Sequence, residues 1–178
     1  MEPIRPEATP QHLDRIVREC LDASERELAL RSLTVTRQIS PDLPPLALDP
    51  ALMREAIGIL VQDAIRNAPA RSRLRVTVKA SDAPSVGRAG DGSPRGGPGR
   101  TSTRGAGRVH MVAVKCSGEG LSDVQREVLF TGEAIPGSLA RARAIVDAHG
   151  GACWANGMPG RGRTCYITLT TRSAPLSH

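Results

Sequence analysis

Apolar positions along the chain fall first into a helical rhythm, then an alternating one, and the changes between the two mark out the elements. From Pro10 to about Arg31, Leu13, Ile16, Val17, Cys20, Leu21 and Leu28 recur at three- and four-residue steps with charges between them, which predicts one amphipathic helix. SLTVTRQI (32–39) alternates and is rich in β-branched residues, so it reads as a strand. SPDLPPLALD then breaks regular structure with its prolines, leaving Asp49 as an N-cap and Pro50 at the first position of a helix that runs to about Ala68. Leu52, Ala56, Ile57, Leu60, Val61, Ala64 and Ile65 give that helix a broad apolar stripe, the mark of a central buried helix. RLRVTVKA (73–80) and RVHMVAVKC (108–116) are the next strands, and a long connection follows with a short helical stretch, SDVQREVLF. A helix from about Leu139 to His149 ends at Gly150-Gly151, and ACWANG and RTCYITLT are two last strands joined by a turn at MPGRG. Helices and strands mix without strict alternation. The expected fold is α+β, a two-layer sandwich with a mixed, mostly antiparallel sheet of about five strands covered on one face by about three helices.

Composition divides the chain further. Its 178 residues suit one domain, with residues 1–31 as a helix packing on or leading into it and 32–170 as the domain itself. Residues 81–107 hold many of the glycines, with prolines, arginines and Val86 as their one large apolar side chain, so they are expected to form a disordered insertion. The polar tail 171–178 is expected to fray. The net charge is +6, and nearly all of the basic residues are arginines, Lys79 and Lys115 excepted. That balance invites a nucleic-acid reading, but Phe130, Trp154 and Tyr166 are the only aromatics, which counts against a base-stacking platform. The N-terminus lacks the apolar core of a signal peptide, and no apolar run approaches the ~20 residues of a membrane span. Cys20, Cys116, Cys153 and Cys165 form no CxxC pair and no zinc spacing, so a reduced, cytoplasmic protein is expected.

Three segments carry a more specific signal. DPALMREAIGILVQDAIRNAP, VAVKCSGEGLS and PGSLARARAIVDAHGGACWANGMPGRGRTCYITL, in that order, resemble the three nucleotide-binding boxes of the ATP-binding catalytic domain of two-component sensor histidine kinases, a domain of the superfamily that includes DNA gyrase. The resemblance covers about residues 11–170, and the long collinear match from IVDAHGG to GRGRTCYITL is its most specific part. It implies ATP and Mg²⁺ as ligands. Magnesium needs a hard oxygen on the long helix, adenine a buried carboxylate acceptor, and the phosphates glycines that admit a close backbone, under a mobile lid.

On this resemblance Asp63 stands where the family has its magnesium-binding Asn, and Arg66 matches the basic residue one turn on. Ile59 stands where gyrase-like members carry the Glu that activates water, and an alkyl group cannot act as a base. Cys116 replaces the adenine-binding Asp; losing a hydrogen bond to a charged group costs about 1.5–3 kcal/mol, roughly ten- to a hundred-fold in affinity. Gly118 and Gly120 are retained, whereas Pro136, Gly137, Ser138 and Leu139 stand in the glycine-rich stretch of the third box with its glycines displaced. Departures fall on ligand positions while scaffold positions match. The resemblance therefore implies a degenerate, pseudokinase-like regulatory or partner-binding module of two-component or phosphorelay signalling, with weak or absent ATP binding. The implied partner is a response regulator, a sensor kinase, or a sigma or anti-sigma factor. Arg141 and Arg143 read as a solvated helix face or as part of a docking surface for an acidic partner. His12 reads as a surface helical histidine and His149 as a cation at a helix C-terminus. Three alternatives stay open: a working kinase domain that phosphorylates a His or Ser, a histidine phosphotransferase, and a nucleic-acid-binding protein using the Arg/Gly insertion.

Overall fold

The computed structural model describes residues 4–81 and 108–170; the remainder, including the expected insertion beyond Ser81 and the expected tail, lies outside the described residues. Within them the elements run β1 (Thr9–Gln11), α1 (Leu13–Ala23), α2 (Glu25–Leu30), β2 (Thr34–Ile39), β3 (Leu46–Leu48), α3 (Pro50–Asn67), β4 (Arg73–Ser81), β5 (Val109–Cys116), α4 (Asp123–Val128), α5 (Leu139–Ala148), β6 (Ala152–Gly157) and β7 (Arg163–Thr170). β2, β4, β5, β7 and β6, in that spatial order, form one sheet. Only β2 and β4 pair in parallel, across the α3 crossover; the other three pairings are antiparallel. The α+β sandwich with a mixed, mostly antiparallel five-stranded sheet is thus the observed fold.

α3 is the keystone of the helical layer. Asp49 caps it as expected, accepting from the backbone N–H groups of Ala51 and Leu52 at 3.0 Å each. Its C-terminal carbonyls, which no intrahelical donor can reach, are taken by the Arg31 guanidinium, bonded to the carbonyls of Ile65 (2.7 Å), Arg66 (3.1 Å) and Ala68 (2.9 Å). α1 packs on one flank and α5 on the other, and their apolar faces join the inner face of the sheet in a single core. His149 ties α5 to α3: its Nδ1–H donates to the Ile145 carbonyl at 2.8 Å and its Nε2 accepts from the Asp49 N–H at 3.0 Å. His149 is thus a two-ended bridge between the end of α5 and the start of α3.

Two expectations change. The single helix over Pro10–Arg31 is two, broken at Ser24, whose hydroxyl donates to the Cys20 carbonyl at 3.0 Å and so competes with the helical ladder. Its first residues are also not helical: β1 pairs antiparallel with β3 from the proline-rich stretch, Thr9 opposite Leu48, which makes a small second sheet. His12 is the N-cap residue of α1.

Along the large sheet the pleat separates two environments. β7 alternates with Arg163, Cys165, Ile167 and Leu169 buried against the helices and Thr164, Tyr166 and Thr168 half-exposed on the other side. β4 does the same, with Leu74, Val76 and Val78 inward and Arg73, Arg75 and Lys79 exposed. Among the described residues no helix is long and apolar enough to cross a membrane.

Candidate functional site

On the inner face of the sheet, at the C-terminal half of α3, lies a buried ionic cluster. Asp63 projects from the apolar stripe of α3, and Arg163 enters from the first position of β7, in phase with that strand's core residues. Their side chains form an ion pair that is nearly sealed from solvent, each 9% exposed. The second Asp63 oxygen accepts from Asn67 Nδ2 at 3.2 Å, one helical turn on. Both carboxylate oxygens are therefore engaged within the protein. Cys116, the last residue of β5, lies directly opposite Arg163 in the β5–β7 register, with the guanidinium in reach of its thiol. Burial raises the Cys116 pKa above the usual thiol value, and Arg163 only partly opposes this. Cys165, on the same face, is pushed up to about 12 by burial and by the charge of Asp63. All four cysteines are buried thiols.

The loops around the cluster are packed backbone against backbone. Gly162 N–H donates to the Gly118 carbonyl at 2.9 Å, which locks the turn after β5 to the β6–β7 turn. A Cβ on Gly118, whose φ is +117°, would meet the Asn67 carbonyl oxygen at 2.9 Å. One on Gly120 would lie 1.6 Å from the Met158 carbonyl oxygen. These glycines permit contact between loops. Ser138 caps α5, its hydroxyl accepting from the Arg141 N–H at 3.1 Å and donating to the Ile135 carbonyl at 2.8 Å. Two surface depressions, of about 220 and 240 Å³, are lined by other residues, not by Asp63, Cys116 or Arg163.

No protein-family profile matches the chain. Over 170 residues it is 25% identical to the adaptive-response sensory kinase SasA of Synechocystis sp., a match that takes in 90% of this chain and 38% of SasA. The chain thus spans well under half the length of that curated relative. Among solved structures it superposes on the catalytic domain of histidine kinase ThkA with a TM-score of 0.66 at 16% identity, covering 92% of this chain and 96% of that one. Its fold is that of a histidine-kinase catalytic domain. Full-length ShkA, solved with AMPPNP, matches at a TM-score of 0.70 and 17% identity over 98% of this chain and 34% of ShkA. The Acinetobacter baumannii histidine kinase AdeS matches at 0.68 and 16%, over 96% and 70%.

Within this histidine-kinase fold, the residues singled out in the sequence divide into two groups. Asp63, Cys116, Gly118 and Gly120 come together around the cluster just described. Arg66 is exposed on the last turn of α3, Gly137 sits at φ +80° with open space beside it, and Leu139 is buried at the start of α5; none of the three bonds to the cluster. Asp63, unlike most carboxylates, is buried and paired. Arg141 holds Glu55 through Nε at 2.9 Å and Nη2 at 3.2 Å, and Arg143 pairs with Asp147 at 3.6 Å on the exposed face of α5. Arg163 escaped the sequence reading. Its signal was present nonetheless: an arginine in phase with Cys165, Ile167 and Leu169 on a core-facing stripe requires a buried carboxylate, and α3 carries one on its own stripe.

Proposed function

We propose that this chain serves two-component signalling as a histidine-kinase-type ATPase domain whose nucleotide site is closed by its own side chains, leaving a regulatory, partner-binding module. The observation that carries the reading is the buried Asp63–Arg163 pair. Asp63 occupies the magnesium position by resemblance, and both its oxygens are already held, by Arg163 and Asn67. A magnesium ion would have to displace the guanidinium and leave it buried without a counter-charge, at a cost of about 3–5 kcal/mol. Cys116, at the adenine position, is a neutral thiol, a poor acceptor for an amino group. At the third box, the Ser138 hydroxyl takes a helix N–H that a phosphate would otherwise attract. The residues present do not fit Mg·ATP.

The relatives support the signalling context. SasA is a sensory kinase, and ThkA has been solved in complex with the response regulator TrrA. A response regulator, a sensor kinase, or a sigma or anti-sigma factor is therefore the kind of partner proposed here. Titrating Mg·ATP and a fluorescent ATP analogue into the purified protein tests the closed site. No saturable binding is expected at millimolar nucleotide. Submicromolar binding, or transfer of radiolabelled phosphate to a His or Ser of a partner, would overturn the reading in favour of an active kinase domain.

A further inference from the structure

The sheet that carries the buried cluster is charged in an asymmetric way. None of its five strands contains an Asp or Glu. Its two arginines directed toward the helical layer each have a carboxylate there: Arg163 pairs with Asp63, and Arg37 with Asp22 of α1 at 3.1 Å. The four cations on the opposite face, which no other described element covers, are Arg73, Arg75, Lys79 and Lys115, all exposed, and among the described residues none has an ionic partner. Arg75 and Lys115 stand directly opposite each other in the β4–β5 register, an arrangement of like charges that weakens a sheet. With Arg73, Ser117 and Arg161 of the β6–β7 turn they line a depression of about 240 Å³. Further along the same face, Trp154 and Tyr166 stack with ring centroids 5.2 Å apart and planes 12° from parallel.

We propose that this face is the docking surface for a protein partner whose contacting surface is acidic. Charge complementarity selects the acidic partner, since a set of cations with no counter-charge among the described residues favours an acidic surface from outside. The neighbouring residues select a protein. Trp, Tyr, Met and Arg are the side chains enriched at the centres of protein interfaces, and this face offers Trp154, Tyr166 and half-buried Met111 beside its cations. A nucleobase, by contrast, would have to compete with Trp154 for the face of Tyr166. The surface lies on the side of the sheet away from Asp63, so the proposal stands whether or not the nucleotide site is closed.

Trp154 is the chain's single tryptophan, so its emission reports on this face directly. The test titrates a short peptide of alternating glutamate and alanine, and an oligothymidylate of equal charge, into the full chain at low salt. The expected result is a saturable change in Trp154 emission with the peptide, lost as salt screens the charges. Arg75→Thr with Lys115→Thr should weaken it roughly tenfold, while the charge-matched change of exposed Arg5 and Arg26 to Gln leaves it unaltered. Removing the opposed cations should also leave the thermal midpoint unchanged or raised, which separates lost docking from lost folding. A silent Trp154, an equal loss with the Arg5/Arg26 pair, or tighter binding of the oligothymidylate would each overturn the proposal, the last in favour of a nucleic-acid surface.

Discussion

An arginine and an aspartate that meet inside a protein depend on each other more than the fold depends on either. Replacing Arg163 alone by Met leaves the Asp63 carboxylate buried against Asn67 without a counter-ion, and a loss of about 3–5 kcal/mol is expected in urea denaturation. Replacing Asp63 by Leu in the same molecule should restore most of that loss, because well-packed apolar pairs often match a buried ion pair in stability. A double variant as weak as the single one would mean that the pair is not the source of the effect. Each partner was visible in the sequence as a charge in phase with an apolar stripe, Asp63 on α3 and Arg163 on β7. Their meeting was not, because it depends on β7 lying next to β5, the strand on which α3 packs, which no local pattern encodes.

Elements with a strong period and a clear cap were legible along the chain. α3 has Asp49, Pro50 and a full stripe; α5 has Ser138 and a glycine pair; β6 and β7 have clean alternation. What escaped were features decided by tertiary contact. β1 and β3 are three-residue strands that exist because they pair with each other, and the Ser24 break rests on one hydroxyl reaching back to Cys20. Contacts between elements were equally hidden, and His149 shows their weight. One ring satisfies a carbonyl at the end of α5 and the N–H of the residue that caps α3. His149→Ala is expected to cost about 1–2 kcal/mol by chemical denaturation, as two hydrogen bonds worth about 1 kcal/mol each are lost from a half-buried position. His149→Asn, which can reach only one of the two groups, should fall between Ala and the native residue.

At the scale of the whole molecule, the response to mild acid includes a contribution from one residue at the far end of the sheet. His110 is fully buried on β5 between Ala80 and Leu169, and neither ring nitrogen has a hydrogen-bond partner among the described residues. Burial lowers its pKa below the ordinary value of 6.5, and the positive charge of Arg108 lowers it further. The folded protein thus keeps the ring neutral at a pH where the unfolded chain takes up a proton. Stability should be complete above about pH 6.5 and decline as pH falls below it, by up to about 1.4 kcal/mol per pH unit from this group. Urea midpoints compared at about pH 7.5 and about pH 5 check this, and His110→Leu should flatten the difference. A domain of this size holds only about 5–15 kcal/mol in reserve. Against that reserve the Asp63–Arg163 pair acts as a ratchet on sequence change. A lineage that changed Asp63 to Asn would first pass through a protein with an orphaned guanidinium at its centre, and one that began at Arg163 would strand the carboxylate. Neither step is survivable cheaply on its own, so the two positions are held together, and substitutions at either should appear in descendants of this chain only in company with the other.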